Sequence, residues 1–214
     1  MIIGSGLVAM AMIKSVHADN AVIFASGVSN SQETNEDEYR REEVLLSDHL
    51  KYKAKFIYIS TIPLGDSRYM RHKKEMEQII MNRTDNYIIV RTQHIIGKGG
   101  NSVNLLNFIK DKISKGEQIT LKDGVYRSLK DVDDLVKVTD RLDNGIYDFA
   151  HVEYLRIDKL ADMIGRKVGK KPIYNLVQKD PELLTGNSLE VTKILRELNI
   201  KREGYTKRVL NKYL

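Results

Sequence analysis

The chain has 214 residues, enough for one large domain or two small ones. Hydrophobic residues make up 42% and charged residues 30% of it, which is typical of a globular protein and excludes wholesale disorder. The absence of cysteine excludes disulfide bonds, cysteine metal sites and a thiol nucleophile, and no apolar run reaches the roughly 18 residues of a membrane-spanning helix.

The net charge of +6 is unevenly distributed along the chain. Residues 1–150 are electrically balanced, so residues 151–214 supply the whole excess. A basic face can attract phosphate-bearing molecules, nucleic acid or acidic lipid, but it can equally be a solvated helix surface. Because no nucleic-acid recognition motif accompanies it, we expect no nucleic-acid partner. The five scattered histidines give no metal-ligand spacing, and the apolar N-terminus lacks the basic lead-in of a signal peptide, so we expect no metal, no membrane insertion and a cytoplasmic location.

Short β-branched runs alternate with helical periods over the first 130 residues. The predicted strands are Ile2–Ile3, Ala21–Ala25, Lys55–Ser60, Tyr87–Arg91 and Gln118–Leu121, and the predicted helices are Leu7–Val16, Asp37–Leu50, Tyr69–Met81 and Val103–Ser114. This alternation predicts an α/β fold, a Rossmann-like and mainly parallel sheet with helices on both faces.

The pattern becomes mostly helical after Asp131. The predicted helices are Val132–Leu142, Ile157–Val168, Leu189–Leu198 and Tyr205–Tyr213, with short extended pieces at Ile146–Phe149 and Pro172–Leu176. We therefore divide the chain into a dinucleotide-binding core, residues 1–130, and a C-terminal part, residues 131–214. The second part combines core helices with a small, mostly helical substrate-binding lobe.

A glycine turn, Gly4-Ser5-Gly6-Leu7-Val8-Ala9, directly follows the first predicted strand. In a dinucleotide fold the first glycine permits the sharp turn, the second lets the backbone approach a pyrophosphate, and a small third residue allows tight packing. Such a turn can also exist without a ligand. The carboxylate that grips the adenosine ribose is expected about 20 residues onward, but residues 26–29 contain no acid.

A second candidate constellation lies around the third predicted strand. Ser60 and Thr61 end that strand, and Tyr69 and Lys73 follow at an i, i+4 spacing that places both on one helix face. An ammonium group beside a tyrosine stabilises the phenolate, which suits the tyrosine to proton transfer. One such pair is expected by chance, and a second exists at Tyr126 and Lys130, but only the first follows a strand that ends in two hydroxyls.

The ordered set of motifs resembles the extended short-chain dehydrogenase/reductase family, the NAD-dependent epimerases and dehydratases of nucleotide sugars. The glycine turn, the I-S-T strand end and Y-x-x-x-K occur in the order of that family. Residues 90–97 (VRTQHIIG) resemble its R-P-x-N-V-Y-G segment, and residues 127–135 (RSLKDVDDL) its R-D-x-x-x-V-x-D-L segment. The resemblance covers most of the chain.

The resemblance implies a role for several residues. Tyr69 is then the acid–base tyrosine, Lys73 its ribose-binding partner, and Thr61, with Ser60 as the alternate, the hydroxyl that orients the substrate oxygen. The implied cofactor is NAD or NADP, and its site comprises Gly4, Ser5, Gly6, Leu7, Ala9, Ser26 and Lys73. The implied nucleotide-sugar site comprises Gln93, His94, Asn101 and Arg127. Arg127 suits a diphosphate, with an ion pair to Asp131 or Asp123 as its alternative, and His94 can equally be structural.

The chain also departs from the family pattern. Residues 21–26 resemble the fourth strand of the family, which indicates a shortened member without two early strand–helix units. The first strand then becomes a sheet edge, and a homodimer contact is one way to cover it. Ile62 and Pro63 stand where sugar dehydratases carry an acidic pair, which disfavours dehydration. The sequence therefore predicts an NAD(P)-dependent epimerase or ketoreductase of a nucleotide-diphosphate sugar, or alternatively a non-catalytic relative that binds a nucleotide sugar or a partner protein.

Overall fold

Strands and helices alternate along the chain in the computed structural model, which describes residues 1–100, 104–178 and 184–214. The strands are β1 (Ile2–Ile3), β2 (Ala21–Phe24), β3 (Lys55–Thr61), β4 (Tyr87–Thr92), β5 (Ile95–Ile96), β6 (Ile119–Lys122), β7 (Tyr126–Arg127), β8 (Lys130–Asp131), β9 (Gly145–Phe149), β10 (Leu155–Arg156) and β11 (Tyr174–Val177). The helices are α1 (Leu7–Met12), α2 (Glu36–His49), α3 (Arg68–Arg83), α4 (Leu105–Lys115), α5 (Val132–Thr139), α6 (Ile157–Val168), α7 (Leu189–Glu197) and α8 (Tyr205–Tyr213).

The central sheet has five parallel strands in the order β1–β2–β3–β4–β9. Because parallel strands end at the same edge, the residues after β1, β2, β3 and β4 all meet at the carboxyl edge of the sheet. The smaller pairs β5–β8 and β6–β11 are parallel, and β7–β10 is antiparallel. The predicted parallel α/β fold is therefore confirmed. Since β9 belongs to the central sheet, residues 131–214 contribute to the core. The division of the chain at residue 130 and the substrate-binding lobe stay predictions.

Helices cover both faces of the sheet. Successive side chains of a strand point to opposite faces, so the apolar side chains of these strands need to be covered on both sides. On one face Phe56 and Tyr58 pack against the buried side chains Leu46 of α2 and Met76 of α3. On the other face Ile57 belongs to a larger apolar cluster built with α1 and α4–α8. The two functional motifs consequently lie on opposite faces, the glycine turn leading into α1 and the Tyr69 helix, α3, on the other side.

Helix α1 is shorter than the sequence predicts. The apolar pattern continues through Ile13 and Val16, but the helix ends at Met12 and turns follow. Ser15 stabilises these turns, because its hydroxyl donates to Asp140 at 2.5 Å and accepts from the amide of His17. Ile13 and Val16 are 57% and 66% exposed, so their apolar character does not mark a buried helix face.

Strand β1 forms one edge of the sheet, as the missing strand–helix units predict. In the part of the chain that the structure describes, β1 pairs only with β2. Met1, which directly precedes β1, is 43% exposed. The predicted homodimer contact at this edge stays a prediction.

Candidate active site

The glycine turn has the conformation that its sequence predicts. Gly4 has φ +122°, and a Cβ at this position would lie 2.5 Å from the carbonyl oxygen of Ala25. Only glycine fits here, because an L side chain would meet both backbone strain and a clash with the next strand. Gly6 forms the N-cap of α1 with open space around its Cα, and Ala9 is buried. The turn thus leaves its backbone accessible at the helix start.

A guanidinium group lies beside this turn, at the end of β2. Arg41 of α2 donates to the hydroxyl and the carbonyl of Ser26 at 3.3 and 3.1 Å, and it also pairs with Glu38. The structure therefore brings Ser26 next to Gly4, as the cofactor assignment requires. Arg41 was not predicted from the sequence, because it stands in a charged run that resembles any solvated helix surface.

Tyr69 and Lys73 lie together near the start of α3. Ser67 caps this helix, since its hydroxyl accepts from the amide of Met70 at 3.2 Å. The Lys73 ammonium lies 5.6 Å from the centroid of the Tyr69 ring. Tyr69 is half-buried, and its hydroxyl has no hydrogen-bond partner among the residues that the structure describes, whereas Lys73 is buried. The predicted proximity of the pair is therefore observed.

The Lys73 ammonium has a further partner that the sequence analysis missed. Glu42 of α2 accepts from Lys73 Nζ at 2.8 Å through Oε1 and at 3.1 Å through Oε2. Glu42 also accepts from the Tyr58 hydroxyl at 2.6 Å and from the amide of Val28 at 2.7 Å, and its Oε2 lies 3.0 Å from His72 Nε2. We call Glu42, Tyr58, His72 and Lys73 the Glu42 cluster. A weak signal pointed to it, because Glu42 shares a helix face with the buried residues Tyr39 and Leu46.

The Glu42 cluster fixes the charge state of its carboxylate. Burial opposes ionisation of Glu42, but the Lys73 ammonium and the hydrogen bonds from His72, Lys73 and Tyr58 outweigh it, so the pKa of Glu42 lies well below its ordinary value. Burial, reinforced by the adjacent Glu42 carboxylate, raises the pKa of Tyr58 well above its ordinary value. The cluster thus holds a carboxylate, an ammonium group and a neutral phenol at neutral pH.

The two candidate hydroxyls at the end of β3 have different surroundings. Ser60 donates to Glu77 at 2.5 Å, and Glu77 forms an ion pair with Arg91, the neighbour of Ser60 on β4. Thr61 is also buried, but its hydroxyl has no hydrogen bond within residues 1–100, 104–178 and 184–214. A substrate oxygen could therefore use the Thr61 hydroxyl without breaking an internal bond, so the geometry favours Thr61 over Ser60.

The predicted sugar-site residues are described in part. Gln93 and His94 connect β4 to β5, and His94 has φ +52°, with its carbonyl accepting from the amide of Lys130 at 3.0 Å. Arg127 lies on β7 and donates to the carbonyl of Tyr126 at 2.8 Å. Asn101 lies outside the described residues, as does Val103, the first residue of the predicted fourth helix.

The carboxylates considered as alternative partners of Arg127 have other cations beside them. Asp123 lies 3.6 Å from Arg156, and Asp131 forms an ion pair with Lys212 at 2.7 Å. In the second Y-x-x-x-K sequence, Tyr126 is 38% exposed, whereas Lys130 is fully buried and donates to two backbone carbonyls. Tyr126 and Lys130 therefore have different surroundings.

Comparisons with solved structures identify the fold. UDP-glucose 4-epimerase of Thermus thermophilus, solved with NAD, aligns with a TM-score of 0.67 and 15% identity over 90% of this chain and 77% of that chain. dTDP-4-dehydrorhamnose reductase of Bacillus anthracis, solved with NADP, aligns with a TM-score of 0.68 and 19% identity over 96% of this chain and 84% of that chain. The protein has the fold of these enzymes. UDP-glucose 4-epimerase of Thermotoga maritima, solved with UDP-glucose, shares this fold with a TM-score of 0.66 and 18% identity over 96% of this chain and 81% of that chain. No family model and no curated protein sequence matches the chain.

The described residues provide neither a metal site nor a membrane-spanning helix. They contain no group of three or more histidine, cysteine or acidic side chains that could hold a metal ion. No helix among them combines the length and the apolar character needed to cross a membrane.

Proposed function

We propose that the protein is an NAD(P)-dependent epimerase or ketoreductase of a nucleotide-diphosphate sugar, with Tyr69 as the proton-transfer group. The single observation that carries this proposal is the position of Tyr69 against the Lys73 ammonium, near the sheet edge where Thr61 ends β3. The enzymes that share the fold support the reaction class, since their structures were solved with NAD, NADP or UDP-glucose. Their low identity supports no particular sugar.

The glycine turn fits the diphosphate of a dinucleotide. Gly4 cannot carry a side chain, and nothing lies within 4 Å of the Cβ position of Gly6. We infer that the amides of Ser5, Gly6 and Leu7 hold the diphosphate, with Ser26 beside them and Arg41 adding positive charge. The bound nicotinamide would supply the hydride acceptor and donor.

The chain's own residues would then move the proton and orient the substrate. Tyr69 accepts the proton of the sugar hydroxyl as its carbon is oxidised, and returns a proton to the oxygen when the ketone is reduced. Lys73, beside the Tyr69 ring, binds the ribose of the cofactor and holds it next to Tyr69, and the Thr61 hydroxyl donates to the reacting oxygen. Arg127, Gln93 and His94 line the sugar side in this proposal, and a guanidinium at Arg127 suits the diphosphate of the substrate.

Tyr69→Phe is expected to lower turnover by about 10²- to 10⁴-fold, the usual contribution of a positioned proton-transfer group. The hydroxyl of Tyr69 has no hydrogen bond among the described residues, so its removal should leave stability unchanged. The measurement is formation of UDP-galactose from UDP-glucose for the epimerase, and oxidation of NADPH in the presence of dTDP-4-dehydrorhamnose for the reductase.

Tyr126→Phe is the matched control for this variant, since Tyr126 begins the other Y-x-x-x-K sequence and is exposed. We expect it to retain wild-type turnover. Undiminished turnover in Tyr69→Phe would remove Tyr69 from the proposed mechanism.

Two observations favour a second candidate function, a binding protein for a nucleotide sugar without redox chemistry. The described sheet ends at β1, where the adenosine half of a dinucleotide site would continue, and the Lys73 ammonium is bound by Glu42. Thermal unfolding with NAD⁺, NADH, NADP⁺, NADPH and UDP-glucose separates the two candidates. A ligand at 100 times its Kd adds about 2.7 kcal/mol, or roughly 5–10 °C in Tm for a chain of this size.

We expect a dinucleotide to raise Tm if the protein is the proposed enzyme. A rise with UDP-glucose but with none of the four dinucleotides would favour the binding protein instead.

A further inference from the structure

The Lys73 ammonium is both bound and buried inside the chain. Lys73 Nζ donates to the Glu42 carboxylate, 2.8 Å from Oε1 and 3.1 Å from Oε2, and lies 3.2 Å from the Tyr58 hydroxyl, and the residue is only 3% exposed. The Tyr58 hydroxyl can accept from Lys73 because its own proton goes to Glu42 at 2.6 Å. A ribose hydroxyl could therefore reach the Lys73 ammonium only if the ammonium left this buried position beside Glu42.

The position of Glu42 is fixed from several sides. The amide of Val28, the Tyr58 hydroxyl and His72 Nε2 all lie within 3.0 Å of its carboxylate oxygens, and the residue has no exposed surface. Gly27 closes the remaining side, since a Cβ there would lie 2.5 Å from both Glu42 Oε1 and Lys73 Nζ. The carboxylate cannot turn away without disrupting the loop after β2.

That loop connects the glycine turn to the Tyr69–Lys73 pair. Its first part packs against Gly4, through the carbonyl of Ala25, and its second part binds Glu42, through the amide of Val28. Glu42 is thus the residue through which the cofactor turn and Lys73 are held in one arrangement.

We propose that Glu42 sets the affinity of this protein for nicotinamide nucleotides by competing with the ribose for Lys73. The proposal rests on the proposed function, in which Lys73 serves a nicotinamide cofactor. A ligand that needs a minor arrangement of its site binds more weakly in proportion to the population of that arrangement. A nicotinamide nucleotide can bind Lys73 only in the arrangement in which Lys73 has left Glu42. The affinity of the wild type for these nucleotides is therefore reduced by a factor that the free energy of the Glu42–Lys73 ion pair sets.

The variant Glu42→Gln distinguishes this proposal from a purely structural role of Glu42, because affinity for NADH and thermal stability should change in opposite directions. It keeps the size of the side chain but removes the charge that holds Lys73, so we expect NADH to bind at least about tenfold more tightly than to the wild type. We expect the thermal stability of the same variant to fall, because a buried charge loses its partner. A residue with only a structural role would lower affinity and stability together. NADH binding is measured by titration of its intrinsic fluorescence, and stability by thermal unfolding without ligand.

Glu77→Gln is the matched control, since Glu77 is a buried glutamate of α3 that pairs with Arg91 and not with Lys73. It should lose stability without gaining affinity. Tyr58→Phe is a second test should Glu42→Gln not fold, since it removes one of the groups that bind Lys73 and leaves Glu42 in place. We expect a smaller gain there, roughly threefold.

The outcomes separate this proposal from the proposed function. If the wild type binds NADH and both Glu42→Gln and Tyr58→Phe bind it more weakly, the proposed role of Glu42 is wrong. The proposed enzyme function is then unaffected. Detectable NADH binding only after Glu42→Gln supports the role of Glu42. No binding of NADH or NADPH by any of these proteins at millimolar concentration overturns both proposals, whereas tighter binding by Glu42→Gln together with full turnover in Tyr69→Phe overturns the proposed mechanism alone.

Discussion

Lys73→Met is expected to lower the free energy of unfolding by about 3–5 kcal/mol, the usual cost of removing one partner of a buried ion pair. Lys73 and Glu42 are both buried, and their ion pair spans 2.8 Å. The variant leaves the Glu42 carboxylate charged and buried with no ammonium beside it. Urea unfolding of both proteins at pH 7 measures the difference.

The pH dependence of stability should change sign in Lys73→Met. In the wild type the pKa of Glu42 lies below its ordinary value of 4.5, so its contribution is fully present above that pH and is lost as the pH falls below it. Without the ammonium, burial dominates and the carboxylate prefers to be protonated in the folded state. The variant should therefore gain stability relative to the wild type as the pH falls from 7 toward 4.5, the ordinary pKa of a glutamate.

Lys74→Met is the matched control, because Lys74 is the adjacent lysine of α3 and is exposed. Its effect should stay within about 0.5 kcal/mol. Equal stability of Lys73→Met and Lys74→Met would contradict the structural role of the ion pair. The expected destabilisation also means that lost activity in a Lys73 variant is weak support for catalysis, so Tyr69→Phe is the more informative test.

Lys130→Met is expected to stabilise the protein, by about 2 kcal/mol at pH 6. Lys130 is fully buried, its ammonium donates to the carbonyls of Ser128 and Ala150 at 3.1 and 2.8 Å, and no carboxylate pairs with it within the described ranges. Burial lowers the pKa of Lys130 from 10.5 to about 7. Methionine has a similar shape and no charge to desolvate, which outweighs the two lost hydrogen bonds at low pH.

The gain from Lys130→Met should disappear as the pH rises. Between about pH 7 and pH 10 the unfolded chain holds a proton on Lys130 that the folded chain has lost, so wild-type stability rises with pH in that window. Below about pH 7 both states are protonated and the burial penalty is fully present. The difference between the two proteins, measured by urea unfolding at pH 6, 8 and 10, should fall steadily.

Lys122→Met serves as its control, since Lys122 lies on the exposed side of β6. It should show no such trend with pH. A Lys130→Met variant that is less stable than the wild type at pH 6 would contradict the burial argument.

Local patterns were sufficient for most of the architecture. The short β-branched runs became β1–β4 and the helical periods became α2, α3 and α6, because alternation and the 3.6-residue period state directly which side chains are buried. The apolar pattern gave the wrong end for α1, because Ile13 and Val16 continue the helical spacing of apolar residues although both are exposed. Apolarity alone does not fix a helix end when a side chain such as Ser15 offers the backbone a competing turn.

The candidate site was likewise predicted only in part from the sequence. The proximity of Tyr69 and Lys73 follows from their spacing on one helix, and the conformation of Gly4 follows from its place after a strand. Neither spacing nor composition could identify the partner of Lys73, because Glu42 lies 31 residues earlier in the chain and stands among other acidic residues of α2.

The sequence by itself therefore determined the parallel α/β fold and the neighbouring tyrosine and lysine, since each depends on contacts within one element or between consecutive ones. The edge position of β1 was predicted from the resemblance to a family, in which two further strand–helix units follow the first helix. Only the tertiary structure decided that Lys73 belongs to a buried cluster with Glu42, that Ser60 donates to Glu77 while Thr61 does not, and that Lys130 is buried with no carboxylate beside it in the described part of the chain. These properties depend on which elements pack against each other, and the free energy of a buried charge is set by all the groups around it rather than by its neighbours in sequence.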